Sequence, residues 1–305
     1  MTCPYCGARG GSHEFLTAGQ KALVAKVCEH FNRAVNEFED GEHHIDVDAV
    51  ADEVAAGAER PKFYYAETTQ QSRFDCRVCG AFNDILGKYG FCSCCGTRNN
   101  LALLADELDG LTSDLENGRA PEDALRDAVS KFDACGRDYV NALCDNAKLT
   151  DKQRKQARRS LRFHDMDRAA ADLSDLFGID LFGDLGDPDK NLVRLMYLRR
   201  HVYEHRGGVA DDDYLERSGD KSLRKGQVIR ESAARVRALL PLIARMAENL
   251  DRGFHRVVPT EEAAIAALRV RTERMRERRA RAEAASAAPE RPESANIARP
   301  QLKGV

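Results

Sequence analysis

Two Cys-x-x-Cys-Gly units, Cys76-Arg77-Val78-Cys79-Gly80 and Cys92-Ser93-Cys94-Cys95-Gly96, constrain the fold of this chain more tightly than any other part of it. In each unit a tight turn lets two thiolates converge on one ion, and the glycine relieves the backbone behind them. The twelve residues between Cys79 and Cys92 suit a short hairpin arm. The spacing predicts a closed tetrahedral zinc site of four cysteine ligands, Cys76, Cys79, Cys92 and Cys95, as in zinc ribbons. A closed site has no open coordination position, so its role is structural. Metal binding supplies folding free energy of roughly 10 kcal/mol to a segment with little apolar core of its own. Cys94 is an alternative ligand to Cys95, but the two-residue spacing and the following Gly96 favour Cys95.

Cys3-Pro4-Tyr5-Cys6-Gly7 is a third unit of the same type without an obvious partner pair. Cys3 and Cys6 are read as ligands of a second zinc. His13, Cys28, His30, His43 and His44 are the candidates to complete it, and the spacing does not choose among them. Cys135 and Cys144 fall within a helical apolar pattern and are read as small core residues.

The chain has 305 residues, enough for two or three modest domains. Its 43% hydrophobic and 32% charged content predicts a soluble protein with a real core. No apolar stretch approaches the ~20 residues of a membrane span. The start, Met1-Thr2-Cys3-Pro4, lacks a basic-then-apolar leader, and with the paired cysteines it leads us to expect zinc in a reducing cytoplasm. A net charge of −3 argues against broad coating of nucleic acid, so any RNA contact is local.

This pattern divides the chain into three segments. Residues 1–98 form a zinc-binding region, with the ribbon at about 72–98 and the extra knuckle at 3–6. Within it, residues 15–38 read as a helix carrying Leu16, Leu23, Val27, Phe31 and Val35, and 43–60 as a second short helix. Residues 63–74 carry a β signal leading into the cysteines. Residues 99–258 form a helical bundle. Leu101, Leu104, Leu108, Leu111 and Leu115 make one apolar stripe, and Leu125, Val129, Phe132, Tyr139 and Leu143 another after Pro121. Thr150 with Gln153 fits a capping box, Gly178 stops a helix from Asp165, and Asp187-Pro188 opens one that ends at Gly207. A last bundle helix is expected over 223–250, kinked at Pro241. Residues 259–305 read as an arginine-rich helix and a disordered tail. The fold class is therefore mainly α: a helical bundle preceded by a small zinc ribbon and followed by a basic helical tail.

The end of one bundle helix carries the functional signal. Arg200-His201-Val202-Tyr203-Glu204-His205-Arg206-Gly207-Gly208 places two histidines four apart, on one helix face, beside an arginine. Imidazole suits proton transfer near neutral pH, and guanidinium offers a permanent fork for phosphate. The stretch resembles the Arg-(polar)-x-x-x-His signature of HEPN domains, and Gly207, Gly208, Asp211 and Tyr214-Leu215 are similar to the continuation of that signature in bacterial members. The resemblance covers roughly residues 100–258. It implies a compact, often dimeric helical bundle acting as a metal-independent endoribonuclease in toxin–antitoxin or phage-defence systems. It also implies Arg200 and His205 as the catalytic pair and His201 as the supporting polar residue. The partners it implies are RNA, a second copy of the chain and an antitoxin or regulatory protein.

The same bare spacing recurs at Arg159 and His164, where Ser160 comes after the arginine and neither a glycine stop nor a Tyr-Leu pair lies beyond. At about 100° per residue, Arg200 and His205 lie about 140° apart around one helix, so the helix alone does not aim them together; a long arginine and a two-fold partner could. The alternative reading is a non-catalytic interaction protein, in which ribbon and bundle are recognition surfaces.

Overall fold

The computed structural model describes residues 1–37, 44–60 and 71–286, and among them the chain is mainly helical. Helices α1 (Ala18–Glu37) and α2 (Val47–Ala55) pack on each other, tied by Lys26 to Glu53 at 2.7 Å. Of the expected α1 stripe, Leu16, Leu23 and Val27 are half-buried, while Phe31 and Val35 are exposed. The β signal falls partly on residues outside the described ones; its end forms β1 (Gln71–Asp75), antiparallel to β2 (Phe82–Leu86) with Asp75 opposite Phe82. This hairpin encloses the first cysteine unit. The segment between Cys79 and Cys92 supplies only β2, and its partner strand precedes Cys76. The reason is local: Cys76 N–H donates to Ala81 O at 2.9 Å and Gly80 N–H to Cys76 O at 2.7 Å, closing the chain around the unit.

The bundle comprises α3 (Asn100–Glu116), α4 (Pro121–Asn146), α5 (Asp151–Ser160), α6 (Met166–Phe177), α7 (Asp187–His205), α8 (Asp212–Ser218) and α9 (Ala233–Val257). Leu104, Leu108, Leu111 and Leu115 of α3 share one buried cluster with the Leu125–Leu143 stripe of α4 and with Val236, Leu239, Ile243, Met246 and Leu250 of α9. Each fully buried leucine contributes roughly 2 kcal/mol. Cys135 and Cys144 lie in that cluster as core residues. The ends obey the sequence signals: Thr150 and Gln153 make both bonds of a capping box, and Gly178 stops α6 at φ 65°.

Two elements differ from expectation. The helix expected from residue 223 starts at Ala233, where Ser232 accepts the Arg235 N–H at 3.2 Å, and continues past Pro241 to Val257. The residues before it instead carry Asp220 and Glu231 to Arg199 on α7. The short helix α8 is an addition to the expected elements; Asp211 caps it by accepting the Tyr214 N–H at 2.9 Å.

Contacts cross both expected boundaries. Phe91 belongs to the bundle core, 6.1 Å from Phe254 between ring centroids. Beyond the bundle, α10 (Glu262–Ser286) buries Ile265 against Cys76, Cys92 and Cys95, while Val270 and Met275 farther along it are exposed. The expected disordered tail lies outside the described residues. No helix among the described residues is long and apolar enough to cross a membrane.

Candidate functional site

The four cysteines of the paired units meet. Cys76 and Cys95 lie 3.6 Å apart between sulfurs, as do Cys79 and Cys92, and all four sulfurs fall within 4.8 Å of one another. Zinc–thiolate bonds of about 2.3 Å in a tetrahedron put the sulfurs about 3.8 Å apart, so the cluster is close enough to hold a metal ion and is compatible with zinc. Cys94 stands outside it, facing Ala264 O at 3.9 Å. Asn83 braces the site from β2: its amide donates to Ala81 O at 2.8 Å and contacts Cys92 Sγ at 3.5 Å, while its carbonyl accepts the Ser93 N–H at 2.8 Å.

Electrostatics favour a cation there. Hydrogen bonds from Cys92 and Cys95 hold the Cys76 thiol far below its ordinary value. Burial pushes Cys79 up to about 12, and interaction with Cys76 and Cys92 pushes Cys95 well upward. Four thiolates cannot share this volume unaided, and a divalent ion offsets their repulsion.

The module is fastened to the bundle through polar groups. Arg77, inside the first unit, pairs with Asp251 of α9, which also accepts the Tyr139 hydroxyl at 2.6 Å. Arg98 pairs with Asp138 of α4 and stacks on Phe91 with its guanidinium 4.5 Å from the ring centroid.

Cys3 and Cys6 sit in a turn of matching geometry. Cys3 N–H donates to Ala8 O at 2.8 Å and Gly7 N–H to Cys3 O at 3.0 Å. Gly7 has φ 74°, against 73° for Gly80 and 77° for Gly96. The turn lies beside the Cys92 unit through Thr2 N–H to Ser93 O and Phe91 N–H to Pro4 O, each 2.8 Å. Partial burial opposes ionisation of Cys3, but the N–H groups of Cys6 and Tyr5 bring its thiol below the ordinary value. Among the described residues no further His, Cys, Asp or Glu joins Cys3 and Cys6 in a metal-sized group. His30 faces Glu53 at 3.0 Å; His13, Cys28 and His44 are exposed; His43 lies outside the described residues.

At the end of α7, His201 and His205 are both exposed and their rings lie 4.6 Å apart between centroids. His201 lines a cavity of about 430 Å³ together with His164, Asp165, Arg194, Tyr197 and Arg217. Residues 194, 198, 201 and 205 share one face of α7, by the period of the helix. His164 comes from the link between α5 and α6 and is set by its neighbour: Phe163 donates its N–H to Asp133 at 2.9 Å and meets Phe132 edge-on at 5.5 Å. Arg194 donates to Asp167 at 2.8 Å and Arg217 faces Asp213 at 3.6 Å. Burial, then the neighbouring His205 and Arg217, lower the proton affinity of His201.

Arg200 is half-buried and does not line this cavity; its Nε is buried without a hydrogen-bond partner. Its sequence neighbour Arg199 is the structural arginine, bound to Asp220 at 2.9 Å, Glu231 at 3.0 Å and the Tyr214 hydroxyl at 3.2 Å. Gly207 and Gly208 turn the chain at φ 59° and 79° so that Tyr214 can reach it. Sequence reasoning misses His164, Arg194 and Arg217 as site residues. Arg194 is findable seven residues before His201 on the same face, whereas only the Arg159–His164 spacing draws attention to His164.

Comparison of the chain with known protein families, with curated proteins and with solved structures finds no match.

Proposed function

We propose that this chain is a metal-independent endoribonuclease of the HEPN type, with structural zinc in the four-cysteine module. The observation that carries the reading is the opening of one cavity onto His201 and His164 beside Arg194 and Arg217, with the His205 ring 4.6 Å from that of His201. Imidazoles can move the protons and guanidiniums can hold the charge when a ribose 2′-hydroxyl attacks its phosphodiester. In this mechanism a neutral histidine removes the 2′-hydroxyl proton and the oxygen attacks phosphorus. The bond to the 5′-oxygen breaks, and a second, protonated histidine gives that oxygen its proton. The products are a 2′,3′-cyclic phosphate and a 5′-hydroxyl.

His201, whose neutral form is favoured, takes the part of base, and His205 that of acid. Arg194 and Arg217 hold the phosphate. Arg200 joins through a second protomer, because on its own helix it faces about 100° away from His201. RNA and a homodimer are the partners of this reading, with an antitoxin or regulatory protein as its natural control.

The interaction-only alternative is favoured by burial of His205 in an ion pair. His205 is exposed and has no ion pair with any described residue. The test is incubation of total RNA with wild-type chain and with His205→Ala, with and without a brief EDTA treatment. Cleavage that is retained in EDTA and lost in the variant supports the reading; cleavage unchanged by His205→Ala overturns it.

A further inference from the structure

Cys3 and Cys6 occupy a turn that matches, bond for bond, the two turns that build the four-cysteine cluster. All three share the N–H of the glycine donating to the first cysteine carbonyl, at 3.0, 2.7 and 2.9 Å for Gly7, Gly80 and Gly96. All three glycines adopt the left-handed φ that such a turn demands and that other residues resist. The cluster at Cys76–Cys95 shows what two such turns become when they face each other. The turn at Cys3–Cys6 has no such counterpart among the described residues.

Its surroundings keep it at the surface. Cys6 is exposed, Tyr5 is 59% exposed, and Cys3 is only half-buried. The turn is nonetheless held rigidly: Thr2 N–H donates to Ser93 O, Phe91 N–H donates to Pro4 O, a Cβ on Gly7 would collide with the Phe91 ring at 2.9 Å, and Arg9 pairs with Glu261. Two cysteines held in the same turn as the cluster ligands, one of them exposed, make half of a tetrahedral site. A preorganised half-site loses little conformational entropy when it is completed.

We infer that Cys3 and Cys6 bind a second zinc ion shared between two copies of this chain, each copy contributing one Cys-x-x-Cys turn. A two-fold axis through the ion brings an identical pair of sulfurs, and the resulting four-thiolate set repeats the one already present within each chain. Closed point-group symmetry makes such an isologous contact the simplest assembly open to a surface half-site. Each thiol gives up its proton as the zinc–sulfur bond forms, and no oxidant or reductant takes part. This shared ion is independent of RNA cleavage.

Native mass spectrometry and zinc analysis of the full-length reduced chain, reconstituted with zinc and freed of excess, decide it. The expected species is a dimer with about three zinc ions per two chains, one in each four-cysteine cluster and one shared. The double variant Cys3→Ser/Cys6→Ser should fall to about one ion per chain, keep its helical circular dichroism, and lose the zinc-dependent part of dimer affinity. Because the wild-type count needs no variant, a folding defect in the double mutant leaves the test intact. About two ions per monomeric chain would show completion within one chain, and about one ion per chain would show no second site; either result overturns the inference.

Discussion

Arg199 donates to Glu231 across 3.0 Å, with 6% of the arginine side chain and none of the glutamate exposed. Asp220 takes the other side of the same guanidinium at 2.9 Å. Burial works against the Asp220 charge, but Ser222 and Arg199 hold its carboxyl well below the usual carboxylate range. Breaking a buried pair by removing one partner leaves an uncompensated charge, so Arg199→Ala should cost about 3–5 kcal/mol in urea unfolding. Arg200→Ala, one residue away, should cost less than about 1 kcal/mol. Equal losses would refute this division of labour between adjacent arginines.

The proposed RNA cleavage is read out at the histidines. His201→Ala and His205→Ala should each lower the single-turnover rate by roughly 10²–10⁴-fold, the usual share of a positioned acid or base. Their unfolding midpoints should stay near wild type, since both rings are exposed. His164→Ala separates the cavity from the bare motif: a comparable loss assigns the reaction to the cavity, and an unchanged rate removes His164 from it.

The pH profile carries a sign. The lowered proton affinity of His201 keeps its neutral, base-competent form to lower pH than in a free histidine, whose value is about 6.5. The cleavage rate should therefore rise with pH through a midpoint below ~6.5, and that limb should vanish in His201→Ala. The linked stability effect runs the same way. Protonation of His201 favours the unfolded chain, so its contribution is intact above ~6.5 and is lost as pH falls toward the depressed folded value. A limb that persists unchanged in the variant belongs to another group.

Substitution in the cysteine cluster should discriminate between neighbours. Cys95→Ser should release zinc and unfold the module, whose binding supplies roughly 10 kcal/mol. Cys94→Ser should retain both the ion and the melting temperature, because Cys94 lies outside the cluster. Zinc analysis with thermal melts reads the two apart.

Gly136 offers a test at a distance. A Cβ there would stand 2.5 Å from the Phe163 ring, and Phe163 directly precedes His164. Gly136→Ala should destabilise by about 1–3 kcal/mol through overpacking and displace His164 from the cavity. The chemical shifts of His164 in labelled protein would report the displacement; unchanged shifts alongside full stability would contradict it.

Much of the frame is legible in the sequence, for identifiable reasons. Leucines at helical spacing in α3, the Thr150–Gln153 box and Gly178 are local signals, and local chemistry decides those elements. The cysteine spacing selects Cys95 over Cys94 correctly for the same reason. The features that stay hidden depend on distant partners. Residues 223–232 carry a helical pattern, but Asp220 just before them and Glu231 near their end are drawn to Arg199, more than twenty positions upstream. His164 and Arg217 reach the His201 cavity only because the α5–α6 link and α8 fold back against α7. Phe31 and Val35 continue a helical stripe on α1 but stay exposed, although α2 packs on that helix.

The covering of the cysteine cluster by Ile265 has a consequence for biosynthesis. The Cys95 backbone carbonyl accepts the Glu261 N–H at 2.8 Å, and Ile265 packs against Cys76, Cys92 and Cys95. Both residues are translated well over a hundred codons after the last ligand cysteine. A nascent chain therefore carries its metal module uncovered while the whole bundle is being made. During that interval the thiols lack the cover of Ile265 and are open to oxidation or to the wrong ion.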